Sequence, residues 1–297
     1  MKYFVRCISI ILGIVLLVQC KRESNVDIPD DNFLIALINA GIDSDGNRQI
    51  GLKEAEAVTY LDVSGTYETP GEIENINGIE AFINLETLIC SYNQITFADI
   101  SSNKALVSFS CGSNLLTELD ISANTALISL HCWSNQLIAL DVSGNIALEL
   151  LDCDANELTG LELSDNTVLT NLYCGRNQIS SLDLSGNTAL EFLYCASNQL
   201  TSLDLSDNVA LTSLLCDRNQ ISILNVSSNV AINTLLCFSN QLSTLDVSVC
   251  SSLKNLDIHD MPSLYKVCVW ELPFPPEEVV LDTTGSPNVY FTTDCNK

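Results

Sequence analysis

The sequence predicts an all-β-rich solenoid, and three observations carry that prediction. From Leu85 the chain repeats every 21 residues without insertion or deletion, with starts at Leu85, Leu106, Leu127, Leu148, Leu169, Leu190, Leu211 and Ile232. Within each unit, apolar residues fall at positions 1, 4, 6, 11, 14 and 16. The alternation at 4 and 6, and again at 14 and 16, is the period of short strands, and no 3.6-residue period persists long enough for a helix. One such turn cannot bury its own apolar face, whereas stacked neighbours complete each other's core. About two short parallel strands per turn are expected, with turns stacked at the ~4.8 Å spacing of paired strands.

The elements follow in chain order. Residues 1–19 read as a secretion signal: Lys2 and Arg6 precede an apolar run from Cys7 to Val18. That run is shorter than the roughly 20 residues a membrane span requires. It closes on Leu17-Val18-Gln19-Cys20, which resembles a bacterial lipobox, with Gln19 where lipoboxes carry a small residue. The resemblance implies a lipoprotein anchored in the outer membrane through Cys20 and displayed at the cell surface. The polar residues 20–31 read as a tether.

Residues 32–84 form the expected N-terminal cap. Phe33, Leu34, Leu37 and Ile38 have helical spacing within Asn32 to Ala40. The segment Asp43 to Glu54 then resembles an EF-hand loop, which implies calcium held by Asp43, Asp45, Asn47 and Glu54 and by the backbone carbonyl of Gln49. Arg48 stands where that family carries its sharp-turn glycine. Val58, Leu61 and Val63 match a divergent first turn.

Residues 85–252 hold eight units of the form LxxLxCxxNxLxxLDxSxNxA. This pattern resembles bacterial leucine-rich repeats of the 21-residue class, as in internalin-like proteins. Position 9 is always Asn, from Asn93 to Asn240, suited to bonding backbone where the strand turns. Position 6 is always Cys, from Cys90 to Cys237. An inward thiol between leucines behaves as a small buried hydrophobe, and a line of parallel thiols converges on neither a bridge nor a metal. Residues 253–297 read as a degenerate repeat and a β cap. There Cys268 and Cys295 are candidates for a disulfide in an oxidising compartment, with Cys250 a competitor for either.

Composition narrows the function. The net charge is -25 with only 12 Lys+Arg, so no basic face exists to displace counterions from nucleic acid. Along the strand face, positions 3, 5, 7 and 8 present His131, Trp133, Asp152, Tyr173, Arg176, Phe192, Tyr194, Arg218 and Phe238. Aromatic and arginine side chains at solvent-facing positions are the usual anchors of an interface. Ser110, His131 and Asp152 share position 5 in triad order, but strand amides committed to a sheet offer no oxyanion hole, so no enzyme is expected. The internalin-like resemblance implies a monomeric, extracellular, adhesin-like protein that engages a protein or glycan; the alternative is an envelope scaffold or adaptor.

Overall fold

The computed structural model describes residues 24–295, so the signal segment and Cys20 lie outside the described residues. Parallel strands of three residues occupy positions 3–5 of successive turns. They are β1 (Tyr60–Asp62), β2 (Thr87–Ile89), β3 (Ser108–Ser110), β4 (Ser129–His131), β5 (Leu150–Asp152) and β6 (Asn171–Tyr173). The series continues with β7 (Phe192–Tyr194), β8 (Ser213–Leu215) and β9 (Thr234–Leu236). Two C-terminal strands, β11 (Asn255–Asp257) and β13 (Val280–Asp282), complete an 11-stranded sheet paired in strict register. Leu130 therefore lies between Phe109 and Leu151, and each position forms a ladder along the coil.

The core is the sum of these ladders. Leucines at positions 1, 4 and 11 are fully buried, as are all eight position-6 cysteines, which remain free thiols. Burial, with a smaller contribution from Asp62, pushes the Cys90 thiol up to about 12, so it stays protonated at neutral pH. After the cysteine the chain reverses through position 8, which is left-handed in every turn, from Tyr92 (φ 57) to Ser239 (φ 53). The following Asn holds the reversal. Asn135 donates through Nδ2 to the carbonyls of Cys111 (3.1 Å) and Cys132 (3.0 Å), and its Oδ1 accepts from Leu116 N–H at 3.0 Å.

The second half of the turn departs from expectation. A regular second sheet forms only toward the C-terminus, from β10 (Thr244–Asp246), β12 (Lys266–Cys268) and β14 (Tyr290–Thr292). Earlier turns show only isolated bridges such as Leu203 to Leu224. In most turns the residue at position 15 accepts from the backbone N–H of the Ser two residues on, as Asp141 does from Ser143 at 2.9 Å, and Asp246 at the end of β10 makes the same bond with Ser248.

Both ends are covered. Helix α1 (Asp31–Asn39) is capped by Asp30, whose carboxylate accepts from Asn32 and Phe33 and, across the cap, from Glu74 and Asn75. The expected tether is corrected from residue 24 onward. Asn25 bridges to Gly51, Val26 N–H donates to Ile50 O at 2.8 Å, and Val26 and Ile28 pack on the core. Two apolar side chains in an otherwise polar stretch suffice to dock it. At the other end Cys268 and Cys295 are disulfide-bonded with Cα atoms 5.5 Å apart. Cys250 stays free and buried, its thiol directed at the carbonyl of Asn229.

Candidate interaction face on the strand side

Because position 4 points inward, positions 3 and 5 point outward, and position 7 follows them before the chain reverses. The nine residues singled out on this face all lie along it, and the structure joins most of them into clusters. The Trp133 indole lies over Gly112, where an added Cβ would come within 2.3 Å of Cε2, and meets Tyr92 edge-on at 5.2 Å. Tyr194 lies over Gly175 in the same way, at 2.4 Å from such a Cβ. Glycine at position 7 thus lets an aromatic ring from the next turn lie flat on the backbone. Tyr173 and Phe192 pack at 4.7 Å, and Phe238 stacks on His259 at 4.0 Å with the Arg218 guanidinium 5.2 Å from its ring.

Charges between the rings are paired. Arg176 holds the buried Asp154 through two contacts, Nε to Oδ1 at 3.1 Å and Nη2 to Oδ2. The hydrogen bond to Asp154 raises the Arg176 guanidinium pKa further. Asp217 is equally buried but meets Arg218 only at 4.0 Å, and burial raises its carboxyl above the ordinary range. A bidentate planar fork fixes Arg176 in a way the Arg218 contact does not.

The triad order at position 5 is not what forms. Ser110 Oγ lies 2.8 Å from Ser91 Oγ, while His131 Nε2 meets Ser129 Oγ at 3.0 Å and its Nδ1 is 3.7 Å from Asp152. Nearby amides are engaged: Ile128 and Ser129 donate to Val107 O, and Cys132 donates to Asp152 O.

Two participants, Tyr92 and His259, escaped the sequence reading, as did the pairing of a third, Asp154. Tyr92 sits in the turn at position 8, Asp154 pairs with an arginine 22 residues away, and His259 occupies position 7 of the ninth turn. Counting one further repeat from Phe238 places His259 on the stripe rather than remote from it. In the N-terminal loop, ligand atoms of Asp43, Asp45 and Glu54 lie within 4.8 Å of one another. Arg48 adopts the left-handed conformation (φ 65) that glycine usually supplies. Glu54 is held by Ser44 and by Gly51 N–H, which keep its carboxyl below the ordinary range, and Asn47 Oδ1 accepts from Gln49 N–H.

On the opposite side of the coil a groove of about 530 Å³ opens between Phe97, Ala98, Glu118, Leu119, Asp120 and Ala139. Turn one carries Ala98 at this position where later turns carry Leu119 and Leu140.

No protein-family model matches the sequence, and no curated protein matches it. Among solved structures, the functional domain of InlJ from Listeria monocytogenes, which includes a cysteine ladder, is 32% identical with a TM-score of 0.71. The alignment covers 88% of this chain and 61% of that one, so this chain spans less than two thirds of that relative. The internalin InlF of the same organism aligns over 94% of this chain and 100% of its own, at 21% identity and TM-score 0.55. Internalin C2, also from Listeria monocytogenes, aligns over 81% of this chain and 93% of its own, at 22% identity and TM-score 0.54. At those lower identities the likeness is one of fold. The chain is a leucine-rich-repeat solenoid whose structural neighbours are internalin-like.

Proposed function

We propose that this protein is an extracellular, adhesin-like binding protein that captures a protein partner on its strand face between Trp133 and Phe238. One observation carries the reading: aromatic rings and two arginines share one face, with Trp133 and Tyr194 braced on glycine backbone and Arg176 locked by Asp154. Rings held in place lose little entropy when a partner docks, which is how hot spots gain their energy. The signal-like N-terminus and Cys20 support an envelope location, lipid-anchored to the outer membrane. The converging Asp43, Asp45 and Glu54 support calcium as a clamp on the N-terminal cap.

The test is a pull-down from cross-linked cells, run beside a glycan array, with the purified chain and its Trp133→Ala/Tyr194→Ala variant. A protein captured by the first and lost by the second supports the reading. Binding confined to glycans would replace the partner class, and recovery of envelope proteins alone by both forms would replace the adhesin with an envelope scaffold.

A further inference from the structure

We propose that Asp257, His259 and Asp282 form a binding site for a first-row divalent transition metal at the C-terminal end of the strand face. Strands β11 and β13 pair so that Asp257 is the direct register partner of Asp282. Two carboxylates facing each other across a strand pair repel, and a cation between them removes the repulsion. His259, two residues beyond Asp257, turns its ring into that gap. Its Nδ1 lies 2.6 Å from Asp257 Oδ1 and 4.0 Å from Asp282 Oδ2, and one ligand atom from each of the three residues falls within 4.8 Å of the others.

The far side of the same ring supplies the second part of a metal site. His259 Nε2 faces Asp260 Oδ2 at 3.8 Å. A histidine that ligates through one nitrogen characteristically directs the other N–H at a carboxylate, which fixes the ring and raises its basicity. Asp260, whose side chain is exposed, takes that role by closing about 1 Å toward the ring. The ring plane is also set from the neighbouring turn, because Phe238 stacks on it at 4.0 Å and 19°. Asp282 is anchored by the backbone N–H of Thr284 at 2.8 Å, so its second oxygen is directed toward the gap. One imidazole and two carboxylates are a donor set suited to zinc, iron, manganese or cobalt rather than to a soft monovalent ion. With the metal bound, the last two turns of the sheet are tied together beneath Phe238 and Arg218. Without it, the Nδ1 proton is shared with Asp257 alone.

The full chain, purified in detergent and stripped with chelator, is titrated with cobalt(II) while the visible spectrum and binding heat are followed. The expected result is one site with d–d absorption and no sulfur-to-cobalt charge-transfer band. His259→Ala and Asp282→Asn should each weaken it by more than the roughly tenfold that loss of an outer-shell partner costs. An Asp183→Asn/Asp204→Asn variant, altered only on the opposite side of the coil, should bind cobalt as the parent does. Thermal melts of each variant distinguish loss of a ligand from loss of the fold. No uptake at millimolar cobalt, a charge-transfer band marking thiolate ligation, or undiminished affinity in folded His259→Ala would each overturn the proposal.

Discussion

Each turn is built from two halves of similar pattern, and the halves do different work. In the first, an inward Cys at position 6 precedes an Asn at position 9 whose amide is satisfied on both sides, as Asn156 shows. Its Nδ2 donates to Cys132 and Cys153, and its Oδ1 accepts from Leu137 N–H. In the second, an aliphatic residue takes the place of Cys and the Asn at position 19 is bonded on one side only. Asn166 donates to Val142 and Asn145, while its buried Oδ1 has no partner in the structure. The outer surfaces differ too. The second half repeats one Asp-to-Ser turn nearly unchanged, whereas the first varies its outward chemistry along the coil, through Ser110, His131, Asp152, Tyr173 and Leu215. Uniform positions hold the coil together, and varied ones are available to a partner.

The largest expected effect concerns the cysteines. Burial raises the folded-state thiols, to about 12 for Cys90 and Cys174, so the folded chain keeps protons that the unfolded chain releases above about pH 8.5. Stability is therefore unaffected by these groups below that pH and falls as pH rises toward the folded values. Each thiol withdraws about 1.4 kcal/mol per pH unit, so eight together withdraw about 11. Denaturant melts between pH 7 and 10 should show this collapse. Replacing Cys132, Cys153 and Cys174 with Val, the residue type used at position 16, should flatten the slope by about three eighths. An unchanged slope would mean the two halves do not differ in this way.

The asparagines sharpen the comparison. Asn156→Ala orphans one more backbone group than Asn166→Ala and should cost about 1–3 kcal/mol more, read from urea midpoints. Cys250 already stands at position 19, its Sγ 3.8 Å from the Asn229 carbonyl, which shows that this site accepts a lesser donor. The glycines give a smaller contrast. Gly160, in a second half, has open space where a Cβ would go, so Gly160→Ala should raise stability by about 0.4–1 kcal/mol. Gly175→Ala drives a methyl into the Tyr194 ring and should displace it, at a cost of about 1–3 kcal/mol. The smallest expected effect is chemical: a fluorophosphonate probe should leave Ser129 unlabelled despite His131 beside it, since neighbouring amides are committed to the sheet.

Much of this was legible in the sequence. The period fixed which leucines and cysteines turn inward and which aromatics turn out, because a parallel register carries a position unchanged from turn to turn. Sequence did not reveal that the second half would form a regular sheet only toward the C-terminal end of the described residues, since the same positions alternate as strands do in every turn. Nor could it show the Arg176 to Asp154 fork or the rings lying on Gly112 and Gly175, which depend on rotamers rather than spacing. His259 was within reach, one repeat beyond Phe238, but the irregular ninth unit obscured the register. Val26 and Ile28 likewise signalled docking inside a stretch that reads as polar.

The most direct measurement compares the two surfaces in a single assay. With the partner from the cross-linked pull-down immobilised, affinity is measured for Trp133→Ala/Tyr194→Ala and for Asp120→Ala/Asp141→Ala on the opposite side. The first pair should lose about 2 kcal/mol or more, roughly 30-fold in Kd, while thermal melts show that it still folds cooperatively. The second should bind as the parent does. Loss of affinity in the aspartate pair, with the aromatic pair unaffected, would contradict the assignment and move recognition to the groove beside Phe97.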